Sequence, residues 1–194
     1  MPFAVPNKCA GCMRRLGRLR ILRRFARKQE GAAAVEFALV ATPFLALLFA
    51  IMETAFVFFA QQTLEATAAD SARLVLTGQA QTAGYSASDY KTAVCNRIYG
   101  LFDCATMTVD VKNYKTSFSA VNTTPPVTGG VFDTTKTGFD MGGPGCVIAV
   151  TLYYPWPIYV SMLGDNLSTL NGSKRLLVAT SVFRNEPYGG TNGC

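Results

Sequence analysis

The chain has 194 residues, a formal net charge of +6 and no histidine. This length leaves room for an anchor and one small domain. Without histidine the chain lacks the commonest general base and metal ligand, and it lacks Ser/His and Cys/His nucleophile pairs. We therefore expect no enzymatic activity, no cofactor and no metal site.

The positive charge is confined to the N-terminal end. The first 31 residues hold nine basic side chains against one acid, Glu30, whereas residues 32–194 hold nine basic and eleven acidic side chains, a net charge of −2. The basicity therefore belongs to a leader and not to a binding face of the folded domain. We expect no nucleic-acid partner.

An apolar segment follows the basic leader. Residues 32–60 contain only two ionisable side chains, Glu36 and Glu53. As a helix these residues would be about 43 Å long, more than the ~30 Å hydrocarbon core requires and too long for a cleaved secretory signal. The Lys/Arg excess before the span predicts a single-pass membrane protein with a cytoplasmic N-terminus and residues after 60 outside the cytoplasm.

The helix is predicted to continue beyond the membrane, through residues 61–77. Apolar or small residues recur there every three to four positions, at Val57, Ala60, Leu64, Ala68, Ala72 and Val75. Gly78 is a plausible end. The pattern predicts one helix of about 40 residues, half of it in the membrane.

Residues 78–194 are predicted to form a small α+β head with disulfides. Strand-like patterns occur at Thr106–Val111, Val147–Tyr154 and Leu176–Phe183. A helical pattern occurs at Ser88–Leu101. Thr123–Gly145 has the composition of a long loop. For the aromatic run at 153–157 we favour a role in the core and a turn over a binding surface.

The six cysteines divide by compartment. Cys9 and Cys12 precede the span, and four cysteines follow it, which predicts two disulfides in the exported head. Three pairings are possible. We favour Cys95–Cys104, which closes a short loop, and Cys146–Cys194, which pins the C-terminal tail. Cys9 and Cys12 lack further ligands for zinc, and a start at Met13 would remove them.

The segment from Lys28 to Phe37 carries the functional signal. An acid such as Glu36 inside an apolar span costs about 2.5–3.5 kcal/mol at the centre of a membrane helix and less near an interface. In a plain signal anchor, Glu36 would lie near the cytoplasmic headgroups. The combination of a basic leader, Gly31, four small or apolar residues, Glu36-Phe37 and a Pro-containing apolar helix resembles the leader of Flp pilins and Tad pseudopilins.

This resemblance implies that a membrane prepilin peptidase cuts between Gly31 and Ala32. Glu36 would become the fifth residue of the mature chain, and with Phe37 it would serve subunit recognition and assembly. Glu36 of one subunit would neutralise the new α-amine of Ala32 in a neighbour. The implied partners are the peptidase, other pilins or pseudopilins, inner-membrane assembly proteins and membrane lipid.

Within this group the chain resembles the TadE-like branch. The segments that carry this resemblance are residues 31–53, the helix end near RLVLTGQAQ, residues 95–104 and the ending SVFRNEPY. The resemblance implies a pseudopilin-like fold and, because the head is large, a minor or accessory subunit of the Tad (Flp) pilus. The expected location is the bacterial inner membrane with an extracytoplasmic head. Incorporation of the chain into the pilus is compatible with this location.

Other functions remain open from sequence. The leader could stay uncut, which would make the chain a signal-anchored adhesive or binding protein of the cell envelope. The Arg-rich leader also resembles a mitochondrial transit peptide, although the exported cysteines and the spacing of Gly31 and Glu36 argue against that origin. The scattered aspartates of the head show no metal-loop spacing.

Overall fold

A single α-helix, α1, extends from Gln29 to Leu76 and has 48 residues. The computed structural model describes residues 29–98, 100–159, 167–189 and 193–194. The helix confirms the predicted long N-terminal helix and begins slightly before it. The chain divides into two units, Met1–Phe49 and Ala50–Cys194, and α1 contributes to both. The predicted functional boundaries after residues 31, 60 and 77 stay predictions.

The described part of the first unit is an exposed apolar helix. Val35, Phe37, Leu39 and Val40 are each at least 60% exposed. The segment Gly31–Leu76 includes an 18-residue window whose composition is apolar enough to cross a membrane, and none of that window is buried within the protein. The helix therefore has the length and surface of a single-pass membrane anchor.

Two short helices follow α1 in the second unit. Gly78, at φ 74°, separates α1 from α2, Gln79–Thr82. A Cβ at Gly78 would lie 2.4 Å from the ring of Tyr188, so both the backbone conformation and the close approach require glycine. The next helix, α3, covers Ala87–Cys95 and begins with a capping box in which Ser86 and Asp89 bind each other's backbone N–H groups.

Three long strands form an antiparallel sheet in the order β1-β4-β5. They are β1 (Thr108–Asn113), β4 (Val147–Pro157) and β5 (Lys174–Arg184). Each of the three predicted strands is present, so the α+β class is confirmed. The predicted turn at 153–157 is wrong, because β4 continues to Pro157. Pro155 is tolerated because β1 pairs with β4 no further than Tyr153, so its missing N–H faces no neighbouring strand.

The core lies between one face of this sheet and the helices. All six positions of the predicted α1 stripe are 0–6% exposed: Val57, Ala60, Leu64, Ala68, Ala72 and Val75. Alternate residues of β4 pack against them, namely Ile148, Val150, Leu152 and Tyr154. Burial of this stripe explains why the C-terminal half of α1 is amphipathic while its N-terminal half is apolar all round.

The second face of the sheet is covered by part of the segment predicted as a long loop. Residues Val127–Thr128 (β2) and Val131–Phe132 (β3) form a hairpin, and Thr134–Lys136 form a 3-10 turn. The loop prediction is therefore wrong for these residues. Gly129 and Gly130, both at positive φ, supply the two-residue turn that such a hairpin needs. Phe132 packs on Tyr153 with ring centroids 4.8 Å apart.

Candidate assembly site

Gly31 lies inside α1 with ordinary helical neighbours. Apart from its chain neighbours and the nearby backbone of α1, no described atom lies within 4 Å of the position that a Cβ at Gly31 would occupy, and its φ is not in the left-handed region. Glycine within a helix costs about 0.5–1 kcal/mol relative to alanine. The described fold therefore gives no reason for glycine at this position.

Glu36 and Phe37 are exposed on the same helix, and Phe37 is 74% exposed. Within the described residues the ion pairs are Lys112–Asp110, at 2.9 Å, and Lys136–Asp133, at 3.6 Å, so none involves Glu36. Ala32 lies four residues before Glu36 and is also exposed. The carboxylate of Glu36 is thus available to a group from outside this chain.

Hydrogen bonds join α1 to the head at Glu53 and Gln61. The backbone N–H of Tyr159 donates a hydrogen bond to the Glu53 carboxylate. Two turns further along, the Gln61 side-chain amide donates to the carbonyl oxygen of Val178 at 2.9 Å. The end of the sheet where β4 stops and β5 starts therefore lies beside residues 53–61 of α1.

Two disulfides join parts of the head. Cys95 is bonded to Cys104 with a Cα–Cα distance of 5.9 Å, and Cys146 is bonded to Cys194 with a Cα–Cα distance of 5.2 Å. These are the two pairs that the sequence analysis favours. Cys9 and Cys12 lie outside the described residues, as do all of residues 1–28.

A polar cluster that the sequence analysis did not predict holds the C-terminal tail. The Asn185 side chain, 3% exposed, donates to the carbonyl oxygens of Met141 and Gly143 at 3.0 Å each. Gln81 also donates to the Met141 carbonyl, at 3.1 Å. The Tyr188 hydroxyl donates to the Gly142 carbonyl at 3.3 Å. The one sequence signal for this cluster is the ending SVFRNEPY, which resembles the family. It does not indicate which residues the tail contacts.

The described residues contain no group of three or more His, Cys, Asp or Glu side chains placed to hold a metal ion. The most buried acid is Asp110, 3% exposed, which pairs with Lys112 and accepts the Gly138 N–H at 2.7 Å. Burial, with the Asp110 charge as a smaller cause, raises the pKa of Tyr153 to about 12. The Asp110 carboxylate is thus paired with Lys112 and the Gly138 N–H, which indicates a structural role.

Comparison with known proteins gives one family match. Residues 31–73 match the family model described as TadE-like protein. No curated protein matches the chain. No solved structure matches it either.

The matched segment begins at Gly31, includes Glu36 and Phe37, and ends at Arg73 near the end of α1. It thus covers the apolar part of α1 and most of the stripe that packs on the sheet. TadE-like proteins are accessory proteins of the Tad pilus. Over residues 31–73 the chain is similar to the TadE-like family, the same family that its sequence resembles.

Proposed function

We propose that this chain is a minor pseudopilin, an accessory subunit for assembly of a Tad (Flp) pilus, and that a prepilin peptidase cuts it after Gly31. The observation that carries this proposal is the family match that begins at Gly31. Gly31 adds support, because the described fold does not require glycine there. In this proposal the crowded active site of the protease, and not the fold, requires a residue without a Cβ at position 31.

In this proposal the mature chain begins at Ala32 and sits in the bacterial inner membrane. Its N-terminus faces the cytoplasm because the basic residues precede the span, and its head is extracytoplasmic. Two disulfides in the head agree with an oxidising compartment. Removal of the leader leaves an exported chain with a net charge of −2.

The cut creates an α-amine at Ala32 within a helix that lies in lipid. An amine and a carboxylate attract each other strongly where the dielectric constant is low, and both are costly there when unpaired. Glu36 of one subunit supplies the carboxylate for the Ala32 amine of its neighbour, and no ion pair within the described residues involves Glu36. This pairing would set the axial position of one subunit against the next.

N-terminal sequencing of the membrane-extracted protein tests the proposal. We expect the sequence to start at Ala32 in cells that contain the peptidase, and at the leader in cells that lack it. A Gly31→Leu variant should stay uncut, whereas Ala38→Leu, an exposed position on the same helix, should be cut normally. An intact leader on the native protein would instead favour a signal-anchored binding protein.

A further inference from the structure

One end of the head carries exposed aromatic side chains together with an exposed lysine and a half-buried arginine. This end is where β4 stops at Pro157 and β5 starts at Lys174, and it lies beside the first turns of α1 that contact the sheet. We call it the rim and define it by its side chains: Phe56, Phe59, Tyr159, Lys174 and Arg175. Arg175 lines a groove together with Thr54 and Phe58 of α1, which places Arg175 beside the part of the helix that follows Glu53.

The position of the rim follows from the length of the anchor. Residues 32–52 number 21, and as a helix they extend about 31 Å, close to the ~30 Å thickness of a hydrocarbon core. A span that starts at Ala32 therefore ends beside Glu53. The carboxylate of Glu53 accepts the N–H of Tyr159, so Tyr159 lies at the same level.

The chemistry of the rim is that of a membrane interface. Tyr159 is 83% exposed, Phe59 61% and Phe56 57%, which is unusual for aromatic side chains that face water. Aromatic residues are enriched where headgroups meet the hydrocarbon core. Lys174 and Arg175 carry positive charge in an exported segment whose net charge is −2. A basic residue close to an anionic membrane surface is attracted to it.

We propose that the rim is a lipid-contact surface, and that it binds the anionic headgroups of the membrane that α1 crosses. The inference rests on α1 being a membrane anchor and does not depend on cleavage after Gly31. The rim then holds the head against the surface of the bilayer that α1 crosses. Departure of the subunit from the membrane has to break this contact.

Brominated lipids test the contact, because bromine quenches only nearby tryptophan. Trp156 is the single tryptophan, so a Trp156→Phe background accepts a new probe at Tyr159→Trp or, as control, at Val182→Trp. Val182 lies on β5, eight residues from Lys174, or about 26 Å along the strand. In vesicles of phosphatidylcholine and phosphatidylglycerol brominated high in the acyl chain, we expect at least threefold stronger quenching at 159 than at 182. Equal quenching would overturn the proposal.

The charge component has its own matched pair on β5. In the Tyr159→Trp protein, quenching should increase with the phosphatidylglycerol content of the vesicles. Adding Arg175→Glu should remove this increase, and adding Arg184→Glu, at the far end of the strand, should leave it intact. Equal loss in both variants, or no dependence on phosphatidylglycerol, would contradict recognition of anionic lipid.

A second probe avoids the Trp156→Phe background in case that variant fails to fold. A benzophenone amino acid is placed at position 159 or 182 of the otherwise native chain, which is reconstituted in the same vesicles and irradiated. Mass spectrometry should find lipid adducts from position 159 and few from 182. Adducts of position 159 with protein alone would assign the rim to a neighbouring subunit and overturn the lipid proposal.

Discussion

At the residue scale, Glu36 is an acid within an apolar segment of α1. It is exposed on α1, and neither ion pair of the described residues includes it. Glu36→Gln keeps the shape of the side chain and removes its charge. We expect leader cleavage to continue and recovery of the chain with other pilus proteins, after mild detergent extraction, to fall at least tenfold.

The matched control for Glu36 is Glu65→Gln, an exposed acid further along α1 that accepts hydrogen bonds from Gln61 and Gln62. Its loss should leave recovery with the pilus proteins unchanged. If Glu36→Gln and Glu65→Gln behaved alike, the pairing of Glu36 with the Ala32 amine would be wrong, while cleavage after Gly31 would still stand on its own test.

Tyr90 is a buried phenol whose hydroxyl makes no hydrogen bond of good geometry in the described part of the chain, although the Ser71 hydroxyl lies near enough to interact with it. An unsatisfied buried polar group costs about 1–3 kcal/mol. Tyr90→Phe should therefore raise the free energy of unfolding by about 1 kcal/mol. Tyr188→Phe removes a hydroxyl that donates to Gly142 and should lower it by about 1 kcal/mol. Urea unfolding in detergent, followed by Trp156 fluorescence, measures both, and a loss of stability in Tyr90→Phe would refute this account.

The same phenol makes the head sensitive to alkali. Burial raises the pKa of Tyr90 from 10.0 to about 12, against smaller opposing effects of the Ser71 hydroxyl and the Arg97 charge. Since the unfolded chain releases this proton first, the stabilisation is complete below pH 10 and is lost as the pH rises to about 12. The free energy of unfolding should fall across this window, and Tyr90→Phe should make the fall shallower. An unchanged slope would mean that the phenol titrates normally.

At the scale of elements, the two halves of α1 differ in the exposure of their apolar side chains. Leu64 is 0% exposed and Leu39 is 70% exposed on the same helix. Leu64→Ala should lower the free energy of unfolding of the head by about 2–5 kcal/mol, because it removes buried methyl groups and leaves a cavity. The identical change at Leu39 should leave this free energy unchanged. Urea midpoints of Trp156 fluorescence compare them, and equal effects would show that the stripe is not the core.

The elements that sequence predicts well are those with a long repeating pattern. The α1 stripe recurs over five turns, and the three long strands carry apolar runs or alternation, so both were recognisable. The β2–β3 hairpin was not recognised, because each strand has only two residues and no pattern can develop. The Gly129-Gly130 pair, a known signal for a two-residue turn, was present in the predicted loop.

The candidate site likewise has residues that the sequence predicts and contacts that it does not predict. Gly31 and Glu36 could be found from sequence because their signal is local: a spacing in an apolar span. The contacts of Asn185 with Met141 and Gly143, and of Glu53 with Tyr159, join positions more than 40 residues apart. Their partners depend on how the sheet folds back on α1, and no local pattern specifies that.

At the scale of the whole molecule, the two disulfides restrict very different lengths of chain. Cys95 and Cys104 are nine residues apart, whereas Cys146 and Cys194 are 48 residues apart. A cross-link that closes a longer loop removes more conformational entropy from the unfolded chain. By this relation the short loop contributes about 3 kcal/mol and the long loop about 4 kcal/mol.

Paired Cys→Ser variants distinguish this entropic effect from a local one. If chain entropy dominates, Cys146→Ser with Cys194→Ser should lower the urea midpoint more than Cys95→Ser with Cys104→Ser. The tail offers a competing expectation, because Asn185 and Tyr188 already hold it to residues 141–143 without the disulfide. Removal of the Cys146–Cys194 bond gives the unfolded chain the same additional freedom whether or not the folded tail makes these contacts. The native contacts therefore cannot replace the cross-link. A larger loss from the short loop would therefore contradict the entropic account and point to structure around Cys95 that depends on its bond.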